Sequence, residues 1–257
     1  AVVLRQSGVR APILVLGGAP AAWTDVLIRE RIETSVSSFE SARRLSEEAG
    51  LVGGTVSVHI KADTGMGRLG IRVSDAASVP PAAEEIAQIA ALPNLRIAGM
   101  FTHFATADEP DDALSVRQFA LFSQLRARLA EMGVDSGLCH CSNSAAAALH
   151  GEYACDMVRA GISLYGLSPD NEPHGALARR CRLEPVMTLK TTLVQKRRFQ
   201  KGDTISYGAH VLERDADIAV VPVGYADGYP RLLSGRGTVG VAGKRAAIIG
   251  KVCMDMT

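Results

Sequence analysis

The stretch TVSVHIKADTGMGRLGI, Thr55 to Ile71, carries a β-prone run straight into Lys61, Asp63 and Arg68, which stand among three glycines. Read literally, Gly65-Met66-Gly67-Arg68-Leu69-Gly70 matches G-x-G-x-x-G. A dinucleotide loop needs its third glycine to open a helix at once, so that the helix N-terminus meets the pyrophosphate. Here Gly70 leads into Ile71-Arg72-Val73-Ser74 and then Pro80-Pro81, and helical periodicity starts only afterwards. The stretch reads instead as a strand that delivers Lys61 and Asp63 to the open end of a (β/α) barrel. The glycines let the chain double back so that Arg68 points into the same mouth, where polar residues at strand C-termini carry the chemistry of such barrels.

Outward from this strand the same unit repeats: a short β-branched run, a polar or glycine turn, then an Ala/Leu/Arg/Glu helix pattern, the signature of a parallel sheet. The predicted strands are Ile13–Leu16, Ile32–Val36, Thr55–Ile60, Ile97–Thr102, Leu138–Cys141 and Met157–Ser163. The predicted helices are Ala22–Arg29, Ser38–Glu48, Ala82–Ala91, Leu114–Glu131 and Ser144–Leu149. In the fourth helix, Asp111 and Asp112 stand ahead of a run that places Phe119, Phe122, Leu125 and Leu129 at helical spacing. Several other strand ends carry polar residues in the same way: His103 follows Thr102, Asn143-Ser144 follows Cys141, and Arg159-Ala160-Gly161 follows Val158.

After Arg182 the rhythm changes to β-prone runs at Val186–Gln195, Ile218–Val223, Thr238–Val241 and Ala246–Cys253, with Gly202-Asp203, Gly235 and Gly243 as turn formers. The expected architecture is α/β: a partial (β/α)8 TIM-type barrel over residues 1–181, followed by a truncated, mostly antiparallel β domain over residues 182–257. The repeats present are too few to close an eight-stranded barrel, which points to a fragment.

A net charge of +1 with no long basic run leaves no electrostatic footprint for nucleic acid. The charge-free region Ala11–Thr24 is short and interrupted by Gly and Pro, so no membrane span is expected, and no signal peptide precedes it. The five cysteines, Cys139, Cys141, Cys155, Cys181 and Cys253, are odd in number and scattered, a pattern of reduced thiols in a cytoplasm. Cys139-His140-Cys141 invites a metal reading, but on a strand the histidine points away from both sulfurs. No second ligand pair stands at finger spacing, so no metal is expected.

The segments KADTGMGRLG (61–70), GMFTHFATADE (99–109), SNSAAA (142–147), MVRAGISLYGLSP (157–169), ISYGA (205–209), VPVGYADGYPR (221–231) and IIGKVCMDM (248–256) occur in one order. Together they resemble the bacterial alanine racemase family, pyridoxal 5'-phosphate enzymes of fold type III that interconvert L- and D-alanine and supply D-alanine for peptidoglycan. The resemblance covers essentially the whole chain and implies an eight-stranded barrel followed by a β domain.

By that resemblance Tyr207 is the base on one face of the substrate, and Arg68 is both the cation that helps it ionise and a ligand of the substrate carboxylate. Arg159 faces the pyridine nitrogen. A guanidinium does not give up its proton, so it weakens the electron sink and discourages decarboxylation and transamination. Gly161 and Ile162 amides with the Ser144 hydroxyl resemble the phosphate cradle, beside Asn143, and His103 lies by the ring. Tyr225 stands near the phosphate and substrate entrance, and the Met254 amide meets the substrate carboxylate. Lys61 matches a lysine that many members carry as a carbamate.

Family members are head-to-tail homodimers with shared active sites, so Tyr207 and Met254 are expected to serve the partner's cofactor. Lys61 is the only lysine before Lys190, so the chain is expected to be a fragment lacking the N-terminal Schiff-base lysine segment and the C-terminal end, inactive alone. The alternatives are another fold-type-III amino-acid racemase, a basic amino-acid decarboxylase, disfavoured by Arg159 where that enzyme presents a carboxylate, and a non-catalytic barrel that binds pyridoxal phosphate.

Overall fold

The computed structural model describes residues 1–170, 176–180 and 182–257; Cys181 lies outside the described residues. The chain divides into two compact units, Ala1–Val186 and Met187–Thr257. Among the described residues no helix is long and apolar enough to cross a membrane.

The first unit runs α1 (Val2–Gln6), β1 (Ile13–Val15), α2 (Thr24–Arg29), β2 (Ile32–Val36), α3 (Phe39–Leu51), β3 (Val56–Asp63), β4 (Ile71–Arg72), α4 (Val79–Ala90), β5 (Leu95–Phe101), α5 (Ala113–Glu131), β6 (Leu138–His140) and α6 (Ser144–Leu149). Its strands pair in parallel in the order β1-β2-β3-β5-β6, with β4 added beside the end of β3. This is a curled, open half-barrel, as the βα alternation implies.

The central strand β3 is covered on both faces. Val56, Val58, Ile60 and Ala62 face one way and are buried with the apolar side of the helices, while His59 and Lys61 alternate to the other face and are buried as well. In α5, Leu121, Phe122, Leu125 and Leu129 recur at helical spacing and are buried, each contributing about 1.5–3 kcal/mol.

Boundaries depart from expectation in informative places. Helix α4 takes Pro80 and Pro81 into its first turn, where a missing N–H leaves no hydrogen bond unmade. Helix α5 begins after Asp112, yet the carboxylate that receives an amide is that of Asp111, from the Ala113 N–H at 3.0 Å.

The predicted strand Met157–Ser163 does not form. The Asp156 N–H donates to Cys139 O and the Arg159 N–H to Ser142 O, both at 2.9 Å, while the Gly161 N–H goes to Ser144 Oγ. The first two donors lie three residues apart where a ladder needs two, and the third goes to a side chain rather than a carbonyl; Ile162–Tyr165 then closes into a 3-10 turn.

Two glycines are required by close approach. A Cβ on Gly70, at φ +125°, would lie 2.7 Å from Lys61 O and 2.8 Å from Asp63 N, so only glycine lets β4 return beside β3. A Cβ on Gly99 would lie 2.4 Å from His59 Nδ1 and 2.5 Å from Leu138 O. Gly99→Ala is therefore expected to push His59 aside and to cost about 1–3 kcal/mol of stability. Urea denaturation measures this, and a loss below about 0.5 kcal/mol would show that the site yields freely.

The second unit is built of two-stranded antiparallel ribbons: β7 (Gln195–Phe199) with β10 (Ala216–Val220), β8 (Thr204–Ile205) with β9 (His210–Val211), and β11 (Thr238–Val241) with β12 (Lys244–Ala247). The predicted strand Val186–Gln195 is irregular until its last residue. Val186, Met187 and Leu189 are exposed and no described strand pairs with them, so alternation alone has nothing to bind. Ile218–Val223 is shortened and shifted to Ala216–Val220. Ala246–Cys253 contributes only its first residues to β12, because the Lys251 N–H is spent on Ser206 Oγ and the Val252 N–H on Ser234 Oγ.

Candidate active site

Arg159 organises the C-terminal end of the half-barrel. Its Nη1 donates to His140 Nδ1 (2.7 Å) and His140 O (2.9 Å), and its Nη2 to Thr102 O (2.7 Å), Cys141 O (2.9 Å) and His103 Nδ1 (3.2 Å). These acceptors sit at the ends of β5 and β6, so one guanidinium ties two strand ends together. Its Nε hydrogen meets no acceptor among the described residues.

Because Arg159 can only donate, every tautomer behind it follows. His140 accepts on Nδ1 and so carries its proton on Nε2, 2.9 Å from His59 Nδ1. His59 then carries its proton on Nε2 and donates it to Glu33 Oε2 at 3.0 Å. The resulting relay, Arg159 to His140 to His59 to Glu33, crosses the inward face of β6, β3 and β2.

Burial, followed by the Arg159 charge, pushes His140 down to about 3. Burial likewise lowers His59 against the opposing pull of Glu33, and burial with Arg159 takes His103 to about 4. All three rings are thus neutral donors or acceptors at neutral pH. Arg159 itself falls only to about 10, through burial, and stays cationic.

A stability profile follows from these shifts. An unfolded histidine binds its proton near about 6.5, whereas folded His140 does so only near about 3, so between these values the unfolded chain holds more protons. The histidine contribution is expected to be whole above about pH 6.5. It should then fall by about 1.4 kcal/mol per pH unit for each such histidine as pH drops, until the folded rings protonate too. Urea midpoints at pH 7.5 and 5.5 read this, and equal midpoints would contradict the burial of neutral rings.

Lys61 and Arg159 both lie against the Phe101 ring, with Lys61 Nζ 5.3 Å and Arg159 Cζ 5.2 Å from its centroid. The His140 ring stacks on Phe101 as well, at 4.7 Å between centroids. Lys61 is buried and donates to Ala62 O at 2.8 Å rather than pairing with Asp63. Burial, aided by the Arg159 and Arg68 charges against that of Asp63, lowers it to about 8.

Burial works to raise the Asp63 carboxyl, but the Gly67 and Gly65 amides donating to it, at 3.0 and 3.1 Å, hold it below its ordinary value. Asp63 thereby shapes the loop that carries Arg68. Arg68 is exposed and has no hydrogen-bond partner among the described residues, yet its charge reaches Lys61, His103 and Arg159. It lines a cavity of about 780 Å³ with Asp63, Thr64, Arg72, Leu114 and Arg117.

Ser144 Oγ accepts from Gly161 N (2.9 Å), Ser163 N (3.3 Å) and Ser163 Oγ (3.0 Å). Asn143 caps α6, its Oδ1 accepting from Ala146 N at 3.0 Å. The Ile162 amide begins a 3-10 turn and meets no acceptor among the described residues. A Cβ placed on Gly161 would find open space, so this corner is a polar recess.

The structure therefore brings Lys61, His103, Asn143, Ser144, Arg159, Gly161 and Ile162 into one unit with Arg68 at its edge. Tyr207, Tyr225 and Met254 belong to the second unit. There Tyr225 N donates to Cys253 O (2.9 Å) and Ala226 N to Met254 O (2.8 Å), which sets Tyr225 and Met254 side by side. Tyr207 follows Ser206, whose hydroxyl is held by Lys251 N (2.9 Å) and O (3.2 Å), and is 74% exposed. Glu33, His59 and His140 join the site without any local motif; polar residues alternating along otherwise buried strands are the only signal they leave in the sequence.

A parallel (β/α) half-barrel with a half-buried guanidinium, neutral histidines and a lysine at its strand ends, followed by a separate β unit, defines a class of two-domain barrel proteins. Residues 1–169 match the family model for the alanine racemase N-terminal domain, and residues 186–257 that for the alanine racemase C-terminal domain. The chain belongs to the alanine racemase family.

It is 40% identical over 256 residues to the alanine racemase of Desulfovibrio desulfuricans, covering 99% of this chain and 66% of that protein. It is 42% identical over 258 residues to that of Desulfosudis oleivorans, covering 99% and 65%. The structure of the alanine racemase of Clostridium difficile 630 superposes with a TM-score of 0.88 at 34% identity, covering 99% of this chain and 64% of that one. The chain thus spans just under two thirds of the length of these relatives. The expectation of a fragment without its N-terminal segment is corrected by the match over residues 1–169: the family's N-terminal domain is present, joined to its C-terminal domain.

Proposed function

We propose that the protein interconverts L- and D-alanine with pyridoxal 5'-phosphate as cofactor, supplying D-alanine for peptidoglycan in the cytoplasm. The observation that carries this reading is Arg159, whose two terminal nitrogens are consumed by five acceptors while its Nε remains a fixed donor beside neutral His103. The recess at Ser144, Gly161 and Ile162, with an uncommitted amide and room beside Gly161, fits a phosphate. Family membership supports the same assignment.

When bound, pyridoxal phosphate supplies the electron sink that acidifies the Cα–H bond of an amino acid. Arg159 would face the pyridine nitrogen as a donor and, because it keeps its proton, would leave that nitrogen unprotonated. His103 would line the ring, and Ser144 with the Ile162 amide, neighbouring Asn143 and the Gly161 amide, which here donates to Ser144 Oγ, would hold the phosphate. Arg68 takes the substrate carboxylate as a planar fork of donors, the Met254 amide assists, and Tyr225 guards the entrance. Tyr207 moves the proton on one face.

Lys61, partly neutral near its depressed value of about 8, is the amine whose nitrogen adds to the carbon of carbon dioxide, releasing one proton to water, and the carbamate anion offsets the Arg68 and Arg159 charges. The protein works as a head-to-tail homodimer in which exposed Tyr207 and Met254 serve the partner's site. Chiral chromatography of D-alanine formed from L-alanine, with and without pyridoxal phosphate, tests the reading. Cofactor-dependent formation supports it, and cofactor binding without racemisation rejects it.

A further inference from the structure

The Cys155 sulfur lies 3.8 Å from the Cys141 sulfur. Cys155 is exposed and Cys141 fully buried, and neither thiol has a part in the site described above. Their proximity is held from both sides. Cys139 N donates to Asp156 Oδ2 at 2.8 Å and Asp156 N to Cys139 O at 2.9 Å, which clamps the residue after Cys155 to β6. Ser142 Oγ donates to Tyr153 O at 2.9 Å, which clamps the chain before it. Between these clamps Cys155 is held at φ +28°, a region that strains a residue bearing a Cβ. The remaining buried thiol on this strand, Cys139, is directed elsewhere, toward Ser136 Oγ and Gly137 O.

We propose that Cys141 and Cys155 form a reversible dithiol–disulfide couple that responds to peroxide. The Cys155 thiolate attacks one oxygen of hydrogen peroxide and the O–O bond breaks, leaving a sulfenic acid and one water formed with the displaced thiol proton. The Cys141 sulfur then attacks the Cys155 sulfur. The S–O bond breaks, and the hydroxyl leaves with the Cys141 proton as a second water. Two thiols lose two electrons, and one peroxide becomes two waters.

The order of attack follows from the pair. The Cys141 S–H donating to Cys155 favours the Cys155 thiolate and holds it below the ordinary thiol range, while that interaction and burial push Cys141 up. The bond would close a loop over residues 142–154, which contains Asn143 and Ser144. It would also fix the residue whose carbonyl receives Arg159 Nη2, so the oxidation state of the couple reaches the polar recess.

The test treats purified, reduced protein with hydrogen peroxide, alkylates remaining thiols and cleaves after Glu131 and Glu152. Cys139 and Cys141 then share one peptide, and Cys155 lies on the next. Loss of two hydrogens, with the peptides joined Cys141 to Cys155 and separated by dithiothreitol, is the expected result. Cys155→Ser, at an exposed position, should abolish the link. Accumulation of Cys155 sulfinic acid with no link, or a link to Cys139 in the fragment spectra of the unsubstituted protein, would overturn the proposal.

Discussion

Replacing Arg159 by methionine is expected to destabilise the first unit by roughly 3–5 kcal/mol. The substitution keeps a long apolar stem and removes every donor. Thr102, His140 and Cys141 are fully buried, and their three carbonyls and the two histidine nitrogens would lose the guanidinium that satisfies them. An orphaned buried acceptor costs about 1–3 kcal/mol, and the individual costs do not simply add because the strand ends can relax together. Arg159→Lys is expected to recover only part of the loss, since one ammonium cannot reproduce a planar fork that spans two strands. Urea denaturation followed by a probe in the barrel unit measures both variants. A loss below about 1 kcal/mol for methionine would show that the guanidinium does not organise these strand ends.

Tyr207→Phe is expected to lower racemisation by about 10²–10⁴-fold in both directions, the range that a positioned proton-transfer group contributes. The phenol is 74% exposed and its hydroxyl has no partner among the described residues, so the substitution removes one oxygen and no structural bond. Stability should change by less than about 0.5 kcal/mol, which separates loss of chemistry from loss of fold. Initial rates from L-alanine and from D-alanine, measured with thermal melts, test the assignment. Rates retained within about threefold in both directions would reject Tyr207 as a proton carrier while leaving cofactor binding untouched.

Local order was already written in the chain. The parallel alternation, the apolar stripe of α5 and the polar ends of β3 and β5 depend on neighbours a few residues apart, so periodicity and turn residues reveal them, and the motif set points to the family. What the site does depends on partners far apart in sequence. Arg159 reaches Thr102 and His140, and His59 meets Glu33 and His140, only because the parallel register stacks β2, β3, β5 and β6 with their inward faces aligned. The same holds for failures of the local reading. Met157–Ser163 has strand-like composition, yet its Arg159 amide is taken by Ser142 O and its Gly161 amide by the Ser144 side chain, so no continuous ladder forms. The sequence by itself determined which segments would be strands and helices in most of the barrel and which residue types stand at their ends. Only the tertiary structure decided which buried polar atoms meet, because a hydrogen bond in the interior is set by the position of both partners and the chain specifies only one at a time.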